Sequence, residues 1–165
     1  MRDHFLQLAD YNAWANRRIY GAAREVGEDA RNRDIGAYFG SLQGTLTHIL
    51  VADHLWLARL MSQPAPHKRL DETPTADFEA LWTARQEQDD ATRGFIAGLT
   101  DAAIAENFDY RDMSGTARTL PRRFILTHMF NHATHHRGQA HHQLGQLGMA
   151  EPPPLDLPYF ALDLV

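Results

Sequence analysis

Residues 119–147 read TLPRRFILTHMFNHATHHRGQAHHQLGQL. Pro121 suits the first turn of a helix, where its missing N–H costs nothing, and Gly148 comes next as a natural stop. On a wheel of 100° per residue with His128 at zero, Leu126, Ile125, Met129, Ala133, Ala140, Leu144 and Leu147 gather at about 60° to 160°. The segment therefore predicts a long amphipathic helix. Its stripe contains histidines: His136 falls near 80° and His132 near 40°, whereas His135 and His142 move to the opposite border and His141 lies well round the helix.

Working outward, three more segments carry apolar residues at helical spacing. Residues 2–26 place Phe5, Leu8, Ala15, Ile19 and Val26 on one stripe. Residues 38–61 are apolar over most of the circumference, as expected of a helix surrounded by neighbours, and the PAP of 64–66 ends them. A further helix is expected to start near Pro74 and to carry Phe78, Leu81, Trp82, Phe95, Ile96 and Leu99. Between 100 and 119 the period is lost. FDYRDMSGTARTL alternates polar and apolar residues about a Ser-Gly turn, which predicts a short hairpin before the last helix. The proline-rich, then apolar tail EPPPLDLPYFALDLV is expected to pack back on the rest. Four long helices predict an all-α four-helix bundle, one domain over residues 1–165.

The composition narrows the function. A net charge of −5 and the absence of a Lys/Arg-clustered face argue against a nucleic-acid partner. With no cysteine, disulfides, Cys-ligated zinc and a protein thiol nucleophile are excluded. The charged opening MRDHFLQLAD does not resemble a signal peptide, and no stretch of ~18 apolar residues occurs. The expectation is a soluble, cytoplasmic protein without a membrane partner.

Histidines four apart on a helix can chelate one ion, whereas His128 and His136, about 12 Å apart along the axis, cannot readily do so. His128/His132, His132/His135 and His132/His136 all have workable spacing, and the stripe selects His132 with His136 as the core-facing pair. A metal site needs at least one further ligand. His48, in the middle of the apolar segment GTLTHILVADHLWLARL, and His4 are the candidates; His54 falls on a more polar side, and His4 and His67 are expected to be exposed. Asp53 lies in the middle of the stripe of Leu42, Leu46, Ile49, Trp56, Leu57 and Leu60, so its charge needs a partner. It can accept an imidazole N–H, bind a metal itself, or pair with an arginine such as Arg137. The expectation is a buried Asp53 outside the ligand set. Asn12, central on the first stripe, is expected to hydrogen-bond structurally. Arg137 is a candidate anchor for a substrate carboxylate, Gly138 for close helix approach, and Gln139 for a hydrogen bond inside the bundle. Arg85, Asp89 and Thr92 interrupt the third stripe and suggest either local exposure or a polar cavity.

Three motifs, YNAWAN at 11–16, LTHILVADHLW at 46–56 and HATHHRGQ at 132–139, resemble the successive motifs of the DinB/YfiT-like family of metal-dependent enzymes. The resemblance implies an up-down-down-up bundle, often a homodimer, with one divalent metal ion, nickel or zinc, on three histidines. Position by position these are His48, His132 and His136. Related branches replace one histidine with a carboxylate; three histidines leave a net dicationic site. The resemblance also implies a transferase that uses a low-molecular-weight thiol on an electrophilic small-molecule substrate. The alternatives are a metal-dependent hydrolase using metal-bound hydroxide and a non-catalytic metal-binding stress protein.

Overall fold

The structure, a computed structural model, describes residues 1–163. Leu164 and Val165 lie outside the described residues. The long helices are α1 (Arg2–Glu25), α3 (Leu42–Leu60), α4 (Phe78–Ala97) and α6 (Arg122–Gln146). Three short helices accompany them: α2 (Glu28–Asn32) and α5 (Asp101–Ala105) in the connections, and α7 (Leu157–Leu162) after α6. The hairpin forms from β1 (Asn107–Arg111) and β2 (Ala117–Pro121), antiparallel with Asn107 opposite Pro121, and turns through Gly115 at φ +81°.

Side-chain pairs give the direction of each helix. Asp10 meets Arg93, Asn16 meets Asp89 and Arg24 meets Glu79, so α1 runs antiparallel to α4. Thr45 meets Gln143 and Trp56 meets His128, so α3 runs antiparallel to α6. Gln43 reaches Ala76, just before α4, and Asp53 pairs with Arg85, so α3 and α4 are parallel. Phe5 stacks on Phe130 and Asn12 meets Arg137, which makes α1 and α6 parallel. In chain order the bundle is up-down-down-up.

Apolar packing is divided between the two ends. Tyr20, Leu46, Leu50, Leu81 and Leu144 fill one; Phe5, Leu60, Ile96, Ile125 and Met129 fill the other. The tail packs back as expected, with Phe160 against Trp14 and Ala15. Between the ends lies a buried polar layer. Arg85 donates to Asp53 at 2.8 Å and pairs with Asp89 at 2.9 Å. Asp89 also accepts from Asn12 at 3.1 Å and Asn16 at 3.0 Å, and the oxygens of both asparagines accept from Arg137. Two arginines thus face two aspartates, with two asparagine amides between them, and all four long helices contribute.

Several boundaries differ from expectation. α3 begins at Leu42, not at residue 38, because Gly40 turns to φ +76° and the Ser41 side chain caps the helix by accepting from the Gly44 N–H. Pro74 stays outside α4, which is capped by Asp77 accepting from Ala80 N–H, and Leu99 lies beyond its end. Pro121 closes β2 rather than sitting inside α6. The polar middle of the third stripe is neither exposed nor a substrate cavity: Arg85 is only 1% exposed and its carboxylate partners occupy it.

Candidate metal centre

His48 occupies the middle of α3, where its neighbours are nearly all buried, and His132 and His136 occupy one face of α6, four residues apart. Antiparallel packing of the two helices brings the three rings together. One ligand atom from each lies within 4.8 Å of the others, and no other such cluster of histidines and carboxylates occurs among the described residues. The Nε2 atoms of His48 and His132 are 3.3 Å apart. Two nitrogens bound at 2.0–2.1 Å and a tetrahedral angle would be separated by about 3.4 Å, so the spacing of this pair fits a transition-metal ion.

Two of the rings are oriented by hydrogen bonds on their far side. His48 Nδ1 is 3.1 Å from the Leu70 carbonyl, and His136 Nδ1 is 2.7 Å from Gln139 Oε1. A carbonyl oxygen only accepts, so His48 carries its proton on Nδ1. The same holds for His136, because the Gln139 amide nitrogen is directed to His135 Nε2 at 3.3 Å. Their Nε2 lone pairs are consequently free to face the centre, the arrangement in which carbonyls fix the tautomer of ligating histidines. Burial lowers the basicity of all three imidazoles. His132 is pushed down to about 3, by burial first and then by the neighbouring imidazoles of His136 and His48. Near neutral pH all three are unprotonated donors.

A model of the DinB family matches residues 1–162. The chain belongs to the DinB family. The protein DinB of Bacillus subtilis strain 168 is similar to it, 26% identical over 170 residues that span 93% of this chain and 91% of that one. A DinB-like protein of Bacillus cereus ATCC 10987 has a solved structure with a TM-score of 0.71 and 21% identity, covering 92% of this chain and 95% of its own. A second DinB-like structure, from Bacillus subtilis, has a TM-score of 0.67 and 18% identity, covering 91% and 98%. At these identities the structural likeness is one of fold.

This DinB-family fold gives the other sequence candidates distinct surroundings. Asp53 is buried, 4% exposed, and its partner is Arg85 rather than Arg137 or an imidazole. Asn12 is buried in the polar layer, bridging Asp89 and Arg137. Arg137 is 2% exposed and committed to Asn12, Asn16 and Thr134, which leaves it poorly placed as a substrate anchor. Gln139 hydrogen-bonds to His136 one turn away on its own helix, at the half-buried edge of α6 rather than inside the bundle. Gly138 makes no close approach: a Cβ there would meet nothing within 4 Å. His4 is exposed, as expected. His67 is not, because its Nε2 lies 3.0 Å from His54 Nδ1 and its Nδ1 lies 3.2 Å from Glu72.

Two contributors are invisible to helical periodicity because both lie in loops. The Leu70 carbonyl orients His48, and Phe39 stacks on the same ring with centroids 4.0 Å apart. The only sequence signal for Phe39 is its bracketing by Gly36 and Gly40. Among the described residues, no helix is long and apolar enough to cross a membrane.

Proposed function

We propose that this chain binds one divalent metal ion, nickel or zinc, through His48, His132 and His136, and works as a metal-dependent transferase with a low-molecular-weight thiol. The observation that carries the proposal is the convergence of three neutral imidazole donors with no carboxylate in the cluster. Imidazole donors suit zinc and nickel, and three neutral ligands leave the full dipositive charge at the site. When bound, such an ion supplies Lewis acidity, lowering the pKa of a coordinated thiol or water and polarising a substrate oxygen.

The residues around it have defined tasks. Leu70 and Gln139 hold His48 and His136 in the tautomer that presents Nε2. Phe39 covers one face of the His48 ring. The chain has no cysteine, so the sulfur must arrive on a separate molecule. In the transfer the carbon–sulfur bond forms as the carbon–leaving-group bond breaks, and the thiol proton goes to solvent or to the leaving group.

Hydrolysis is the less supported reading. A hydrolase needs a general base beside the ion, and Asp53, the buried carboxylate of α3, is instead tied to Arg85 at 2.8 Å inside the bundle. The test is to measure metal content on purified protein and then follow loss of an electrophile with and without an added small thiol. Loss that needs both metal and thiol supports the transferase. Turnover with water alone, rising with pH through the ionisation of metal-activated water near ~7, would replace it with the hydrolase. No turnover in either arm by metal-loaded protein would leave a metal-binding protein without catalysis.

A further inference from the structure

Residues 33–41 form a strap between α2 and α3. Ile35 N–H donates to the Gly40 carbonyl at 3.1 Å and Gly40 N–H to the Ala37 carbonyl at 2.8 Å, with Gly36 and Gly40 at φ +71° and +76°. This short closure delivers the Phe39 ring flat onto His48, 4.0 Å between centroids and 19° between planes. The same ring lies 5.5 Å from His136 at 68°. It therefore touches two of the three candidate ligands from outside the helices that carry them.

The seat of the strap is independently built into α3. A Cβ at Gly44 would lie 2.1 Å from the Phe39 carbonyl oxygen, a backbone atom that cannot rotate away. Among the chain's other glycines the tightest such approach is 3.5 Å, at Gly98. Gly44 is thus the position at which glycine is needed for room, and the group it makes room for is Phe39. Next to it Tyr38 is 91% exposed, its ring against that of Phe39 at 4.8 Å. Two cavities, about 520 and 410 Å³, lie beside the strap, and both are walled by Tyr38 and Phe39. The larger extends along α6 past Gln139 and Gln143; the smaller reaches His48, Leu70 and Glu72.

We propose that Phe39 is the specificity-determining side chain of the site: seated by Gly44, it partitions the two cavities and shields the His48 and His136 rings, so a substrate reaches the triad past its ring. The word substrate rests on the function proposed above; the shielding does not. A narrow or planar electrophile passes beside the ring, and a branched one requires its displacement. Removing the ring takes away a wall that the two cavities share, beside His48, the member of the triad that lines the smaller one.

The experiment uses diethyl pyrocarbonate on the full chain stripped of metal, with the modification rate of each histidine read by peptide mass spectrometry. Phe39→Ala is expected to raise the rates at His48 and His136 at least fivefold and to leave His54 unchanged. Gly44→Ala, which keeps the ring but removes its seat, is expected to act in the same direction, and Phe39→Leu to fall between Phe39→Ala and the parent chain. If Gly44→Ala does not fold, the two Phe39 variants decide. Unchanged rates at His48 and His136 in Phe39→Ala, or a rise shared equally by His54, would overturn the proposal. Because no metal is involved, failure here is distinct from failure of metal binding, which the metal content of the parent chain reports separately.

Discussion

The site turns on three mutually adjacent rings: His48 lies 5.2 Å from His132 and 4.6 Å from His136 across the helix interface, and His132 lies 4.3 Å from His136 one turn along their shared helix. Alanine at His48, His132 or His136 is predicted to reduce bound metal sharply, read by elemental analysis. Alanine at His128, His135, His141 or His142 should leave it nearly unchanged. The pH response comes from the same burial. His132 is pushed down to about 3 and His54 to about 4, against about 6.5 for an unperturbed histidine. Between these values the unfolded chain binds more protons than the folded one, so stability rises with pH there. The contribution is fully present above about pH 6.5 and is lost as pH falls toward about 4 for His54 and about 3 for His132. Thermal unfolding without added metal should show the midpoint falling over that window, with a shallower fall in His132→Asn. The His132/His136 pair is legible in sequence because a helix fixes the relative direction of residues four apart. Phe39 and Leu70 are not, since no periodicity governs which loop atom arrives over a given ring.

At the scale of elements, the start of α3 shows how an apolar pattern can mislead. Tyr38 and Phe39 extend the hydrophobic run backward, yet the left-handed turn at Gly40 breaks the helix and Ser41 caps the new one at Leu42. The strap exists because the helix stops there. Pro74 misleads in the same way at α4, whose cap is supplied by Asp77. Asp77→Ala is predicted to cost about 1 kcal/mol in denaturant unfolding. Pro74→Ala, outside the helix, should cost far less. The short helices α2, α5 and α7 leave no clear sequence signal, because segments of five or six residues owe their helicity to packing rather than to a period of their own.

Across the whole molecule, the bundle is readable because four long amphipathic segments permit few other ways of burying their stripes. The helix directions are not derivable from those stripes; they come from the family resemblance and are borne out by the paired residues. The polar layer is only half legible: Asp53 and Asn12 announce that partners must exist, but the partners lie on other helices. Burial works against the Arg85 charge, and the carboxylates of Asp89 and Asp53 outweigh it, so the guanidinium stays charged. Arg85→Ala would leave two buried aspartates without their cation and is predicted to destabilise the fold by about 3–5 kcal/mol, measured by denaturant titration. Asp53→Asn should also lower stability while leaving metal content unchanged, since its contacts are with Arg85 and not with the histidines. The most direct test of the metal centre is anomalous diffraction from crystals loaded with nickel or zinc, recorded on both sides of the absorption edge. The predicted result is one strong peak at about 2.0–2.1 Å from Nε2 of each of His48, His132 and His136. A peak held instead by His54 and His67, or no peak among the three histidines, would contradict it.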